Sequence, residues 1–97
     1  MASVLVSPRA RRNLERLIQT HSLPVSTVGR FAASIEPLTT FPSIGASLGG
    51  RWSGYRFILG PWRWMLIVYE YQQDHDLVGI VTVQDARSSG AVSGRRS

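Results

Sequence analysis

Four arginines, Arg51, Arg56, Arg63 and Arg87, and one tyrosine, Tyr69, are the side chains whose types and placement suggest chemistry. A guanidinium is a planar fork of donors that matches a phosphate or carboxylate, and it stabilises charge that builds on a reacting phosphorus. Cleavage of RNA by its own 2′-hydroxyl needs such cations, and also a proton acceptor and a proton donor. Arginine supplies only the cation. Arg56, Arg63 and Arg87 are therefore candidates for a catalytic role, and Arg51, Arg56, Arg63, Tyr69 and Arg87 for binding a nucleic acid or other target.

The acid and base are harder to place. The histidines are His21, near the end of an expected helix, and His75, in an expected hairpin turn, and neither has neighbours in sequence that suggest a site. Asp85 is an alternative, but Asp85-Ala86-Arg87 equally fits a turn closed by an ion pair. Trp52, Trp62 and Trp64 offer faces for base stacking, yet beside Gly60-Pro61 they serve equally well as packing for a small sheet.

Composition bounds the partners. All eleven basic residues are arginine, against six carboxylates, which gives a net charge of +5 and favours polyanions or acidic proteins. Arginine without lysine also fits the codon usage of a GC-rich genome. With no cysteine there is no disulfide or thiolate-held zinc, so neither metal nor cofactor is expected, and a reducing compartment fits. Met1–Ser7 leads straight into Arg9, Arg11 and Arg12, unlike a signal peptide. The longest apolar run, Trp64–Tyr69, is far too short to cross a membrane. A cytoplasmic location is expected.

The elements that must position these residues follow from periodicity. Ala2–Val6 reads as a strand, and Ser7 followed by Pro8 is a helix start. Ala10, Leu14, Leu17 and Ile18 then form one apolar stripe that predicts a helix ending near His21. Val28, Phe31, Ala32, Ile35 and Leu38 predict a second helix, with Pro37 ending or distorting its last turn. Phe41–Gly50 is loop chemistry. Tyr55–Leu59, Trp64–Tyr71 and Leu77–Gln84 predict three consecutive antiparallel strands, so the order is βααβββ and the class α+β, two N-terminal helices packed on an antiparallel sheet. Alternation along the second of these strands puts Arg63, Met65, Ile67, Tyr69 and Tyr71 on one face, so Arg63 and Tyr69 are expected to share a surface. Residues 1–87 form the expected domain and 88–97 an expected flexible tail.

Several local signatures occur in order: Ser7-Pro8-Arg9-Ala10 with Asn13-Leu14, Phe31–Leu38 followed by Phe41-Pro42 and Gly45, Ser53-Gly54-Tyr55-Arg56, Arg63, Ile67-Val68-Tyr69, and Val83-Gln84-Asp85-Ala86-Arg87. In this order and spacing, from about Val4 to Arg87, the chain resembles the RelE/ParE toxins of type II toxin–antitoxin modules. The resemblance implies a cytoplasmic growth inhibitor held in a hetero-oligomer by a cognate antitoxin. Its target would be either the ribosome with its mRNA or DNA gyrase. RelE-like members cut mRNA in the ribosome, many with a histidine near the end of the last strand. ParE-like members, associated with plasmid stabilisation, poison gyrase without a recognisable nuclease site.

Here Gln84 stands where many members have that histidine, no tyrosine follows Arg87, and a few extra residues separate Arg56 from Tyr69. The balance of the resemblance is ParE-like and not enzymatic. The alternatives are a RelE-like ribosome-dependent mRNA endoribonuclease and an inactive member or small basic nucleic-acid binder.

Overall fold

The structure, a computed structural model, describes residues 1–87; the expected tail, 88–97, lies outside the described residues. Strand β1 (Ser3–Val6) leads into helix α1 (Pro8–Thr20) and helix α2 (Thr27–Ile35). Strands β2 (Ala46–Ser47), β3 (Arg56–Leu59), β4 (Met65–Gln72) and β5 (Leu77–Asp85) follow. They make one sheet of order β1-β5-β4-β3-β2, in which β1 runs parallel to β5 and the other pairs are antiparallel. The α+β class and the three consecutive antiparallel strands are as expected from the sequence; the sheet is mixed and not antiparallel throughout, because β1 joins β5 in parallel, and β2 adds a short strand to the expected order.

Helix α1 starts where its chemistry dictates. Ser7 Oγ accepts the Ala10 N–H at 3.0 Å, and Pro8 fills the first helical position, where no intrahelical donor is needed. Helix α2 gives way after Ile35 to a 3-10 turn, Glu36–Thr39, because Pro37 has no N–H to continue the ladder. That turn presents Leu38, fully buried, to the sheet.

Both helices cover one face of the sheet. Ala10, Leu14, Phe31 and Leu38 pack with Met65, Ile67, Tyr69, Val78 and Ile80 in the main core. A smaller cluster lies apart from it, where Leu48, Trp52 and Tyr55 gather with Phe57, Val68 and Val81.

Alternation breaks once in β5. Val68 pairs with Thr82 and Tyr69 with Ile80, so Val81 is an extra residue, a β-bulge. Helix α1 takes up polar groups around it: Ser7 Oγ donates to the Val81 carbonyl at 3.2 Å. Asn13 Oδ1 accepts from Thr82 Oγ1 at 2.6 Å and from the Val83 N–H at 3.2 Å. The helix and the bulge are thus fixed to each other by hydrogen bonds as well as by apolar packing.

Candidate functional site

The sheet divides the candidate arginines between its two ends. Arg63 lies in the turn that leads into β4, and Arg87 lies just past the end of β5, where Ala86 N–H bonds the Trp64 carbonyl. Both are exposed at one end of the sheet. Arg56 opens β3 and pairs in register with Tyr69, four residues further along β4 than Met65. At a rise of about 3.3 Å per residue, that is roughly 13 Å from the first end. Arg51, in the 3-10 turn Gly50–Trp52, is exposed near the Arg56 end.

Tyr69, expected to bind a target beside Arg63, does not reach a surface. Met65, Ile67 and Tyr69 do share a face of β4, but that face is the one the helices cover, and Tyr69 has 0% exposure. Its hydroxyl accepts the Gly45 N–H at 2.9 Å, and Arg56 Nη1 donates to the Gly45 carbonyl at 2.8 Å. Burial pushes the phenol up, and the Gly45 N–H and the Arg56 charge offset this only in part. Arg56 and Tyr69 together hold one loop residue by both its backbone groups.

At the Arg87 end, the structure closes Asp85 and Arg87 into the ion pair that the sequence suggested and adds His21, which the sequence did not place there. His21, at the end of α1, places Nε2 2.9 Å from Asp85 Oδ2 and Nδ1 2.9 Å from Thr20 Oγ1. In the neutral ring, Nε2–H donates to the carboxylate and Nδ1 accepts from the hydroxyl. Arg87 donates to both Asp85 oxygens, Nε to Oδ1 and Nη2 to Oδ2, each at 3.0 Å. That guanidinium holds the Asp85 carboxyl well below the usual carboxylate range, helped by the Arg87 N–H and by His21 and opposed by partial burial. The arginine is raised in return.

Trp64 underlies the cluster. Its ring stacks on His21 at 4.6 Å, and the Arg87 guanidinium carbon sits 4.9 Å from its centre. Trp62 stacks on Trp64 at 6.4 Å and has Arg30 at 5.8 Å. The tryptophans here hold cations in place.

At the other end is a polar cleft of about 600 Å3 lined by Arg56, Tyr71, His75, Ser43, Gln72 and Gln73 among others. Tyr71 donates its hydroxyl to Asp76 at 2.7 Å, which raises the phenol. The cleft therefore combines a cation and an imidazole, a pairing that the sequence did not suggest because Arg56 opens β3 and His75 lies in the turn after β4. Among the described residues no three His, Cys, Asp or Glu side chains gather to hold a metal ion. No described helix is long and apolar enough to cross a membrane.

No family model matches the sequence, and no curated protein does. Solved structures do. A chain from the RelBE2 toxin–antitoxin complex of Mycobacterium tuberculosis is similar with a TM-score of 0.64 at 22% identity, over 87% of this chain and 96% of that one. A chain of the chromosomal ParDE TA system from P. aeruginosa is similar with a TM-score of 0.71 at 13% identity, over 90% and 98%. The conserved hypothetical protein HP0892 from Helicobacter pylori gives 0.53 at 18%, over 88% and 94%. The RelBE2 chain is nearer in sequence and the ParDE chain nearer in shape, so the likeness does not divide the two types. What the chain shares with these proteins is the RelE/ParE-like fold, two helices on a five-stranded mixed sheet.

Proposed function

We propose that this chain is the toxin of a type II toxin–antitoxin pair and that it inhibits growth by binding DNA gyrase, not by cutting RNA. The fold supports the toxin role. The observation that carries the non-hydrolytic part is the closed cluster at the end of β5: both ring nitrogens of His21 are engaged, and Arg87 grips the Asp85 carboxylate with two donors. A general base works through its unprotonated nitrogen, and in the tautomer that donates Nε2–H to Asp85 that nitrogen, Nδ1, is taken up by the Thr20 hydroxyl of the same helix. On this reading the chain works in the cytoplasm, is held by a cognate antitoxin in a hetero-oligomer, and needs no cofactor.

A second reading rests on the cleft at the opposite end. There His75 and Arg56 line one cavity, and an imidazole and a guanidinium are groups that RNA transphosphorylation uses. This is the RelE-like alternative, a ribosome-dependent mRNA endoribonuclease centred on Arg56 and not on Arg63 or Arg87. An inactive member that keeps only a basic surface is the third.

Inducible expression in a bacterial host separates the three. Plasmid supercoiling and pulse-labelled protein synthesis are followed in the first minutes after induction. Altered topology before any fall in translation supports the gyrase reading. New mRNA ends by primer extension, with translation falling first, replace it with the nuclease reading. Unimpaired growth at full expression leaves the inactive member.

A further inference from the structure

Helix α1 carries Arg9, Arg11, Arg12 and Arg16, all exposed, and only one acid, Glu15. This arrangement works against the helix. Its first turn contains no acid, and Arg9 stands there beside the positive end of the backbone dipole. Arg12 follows Arg9 by three residues and precedes Arg16 by four, the spacings at which like charges repel. No carboxylate lies within ion-pair distance of these arginines among the described residues. Stability of α1 alone does not account for them.

Arg9 and Arg16 stand seven residues apart, so about 10 Å along the axis, and line one groove between α1 and the end of β5. The groove measures about 310 Å3 and is also lined by Asn13, Leu17, Val83 and Asp85. Asn13 spends its carbonyl oxygen on Thr82 and Val83, which leaves its amide N–H groups as donors with no protein partner among the described residues. The Asp85 carboxylate is engaged by Arg87 and His21. The rim therefore presents donors and positive charge, and Leu17, only partly buried, adds apolar wall.

We infer that this groove binds an acidic, partly apolar segment of a partner protein, with Asp or Glu side chains on Arg9 and Arg16 and an apolar side chain against Leu17. Guanidinium forks match carboxylate and phosphate equally well, so charge alone does not choose between a peptide and a nucleic acid strand. The apolar wall favours the peptide. So does Trp64, which already has His21 stacked on it and Arg87 over it, and so is committed to the protein's own groups. The inference extends the partner part of the proposed function by naming where and by what chemistry that partner is held.

The test uses the purified full chain and a displayed library of random segments about ten residues long, enough to span both arginines when extended. Selected segments are resynthesised with a fluorescent label and titrated by anisotropy against the wild-type chain and the Arg9→Glu/Arg16→Glu variant. Both arginines are exposed and the Arg9→Glu change suits the helix N-terminus, so this variant folds, which circular dichroism verifies. The expected result is a set of binders that combine Asp or Glu with apolar residues, lose roughly tenfold or more in affinity for the variant, and weaken with added salt. The inference is overturned if no binder emerges, if binders lack acids, or if the charge reversal leaves affinity unchanged. A single-stranded oligouridylate that binds more tightly than every selected segment, through the same two arginines, overturns it in favour of a phosphate ligand. Growth arrest is measured separately, so failure of the groove and failure of the toxin reading are distinguishable.

Discussion

His21 and Asp85 are 64 residues apart in the chain and 2.9 Å apart in space, a contact that ties the C-terminal end of helix α1 to the last residue of β5. Asp85 also holds Arg87, and Trp64 lies against both His21 and Arg87. One carboxylate thus joins a helix end, a strand end and the turn before β4.

The acid limb of the stability curve reports on this carboxylate. The folded protein holds the Asp85 carboxyl below its ordinary range, chiefly through Arg87. A group depressed in this way contributes fully above its unfolded value, about pH 4, and the contribution is lost as pH falls through the folded value. Wild-type stability should therefore fall below about pH 4, and Asp85→Asn, which cannot titrate, should show a shallower fall and lower stability at neutral pH. Urea midpoints across that range measure both. Parallel curves for the two proteins would show that Asp85 gains nothing from its partners.

Tyr69→Phe tests the clamp on Gly45. Removing the hydroxyl leaves the Gly45 N–H without its acceptor in a buried setting, at a cost of about 1–3 kcal/mol in urea unfolding. Gly45→Ala strikes the same contact from the other side. A Cβ there would lie 2.7 Å from the Phe57 carbonyl oxygen and 2.7 Å from the Tyr69 hydroxyl, and the first of these is backbone that cannot swing away. Overpacking of this kind costs about 1–3 kcal/mol. Wild-type stability of either variant would mean that the loop at Gly45 is not held.

Asn13 is expected to matter out of proportion to its exposure. Asn13→Leu strands the Thr82 hydroxyl, on a residue only 2% exposed, and the Val83 N–H. Each buried orphan costs about 1–3 kcal/mol. Adding Thr82→Val to Asn13→Leu removes one orphan, so the double variant should be more stable than the sum of the single changes implies. Strict additivity would show that the helix does not clamp the bulge.

These three sites differ in how far the sequence announced them. Helix α1 was legible because Ser7, Pro8 and the Ala10–Leu14–Leu17 stripe are local signals, and β3, β4 and β5 because aromatic and β-branched runs are bounded by turns. Strand β2 was not, since its two residues are strand only by pairing with Arg56 and Phe57. Alternation grouped Met65, Ile67 and Tyr69 correctly but could not say that the helices cover that face, and Arg63 precedes the strand. The His21 cluster was illegible because it depends on where α1 ends relative to β5, a tertiary fact. The split of Arg56 from Arg63 and Arg87 follows from strand direction, which assigns opposite ends of β4 to residues that look equivalent in the sequence.

That split makes the two sheet ends separable in cells. His75 lines the cleft with Arg56 and is exposed, so His75→Ala should leave the fold intact. If growth arrest comes from binding gyrase, His75→Ala should arrest growth as the wild type does. If RNA cleavage is responsible, loss of a general acid or base should lower cleavage by about 10²–10⁴-fold, enough to relieve arrest. Arg56→Ala is a poorer probe, because Arg56 also holds the Gly45 carbonyl and its loss weakens the loop. Survival of colonies on induction of each variant, with soluble protein measured alongside, distinguishes lost chemistry from lost protein. Relief of arrest by His75→Ala at undiminished soluble protein would overturn the non-hydrolytic reading and move the active site to the cleft lined by Arg56 and His75.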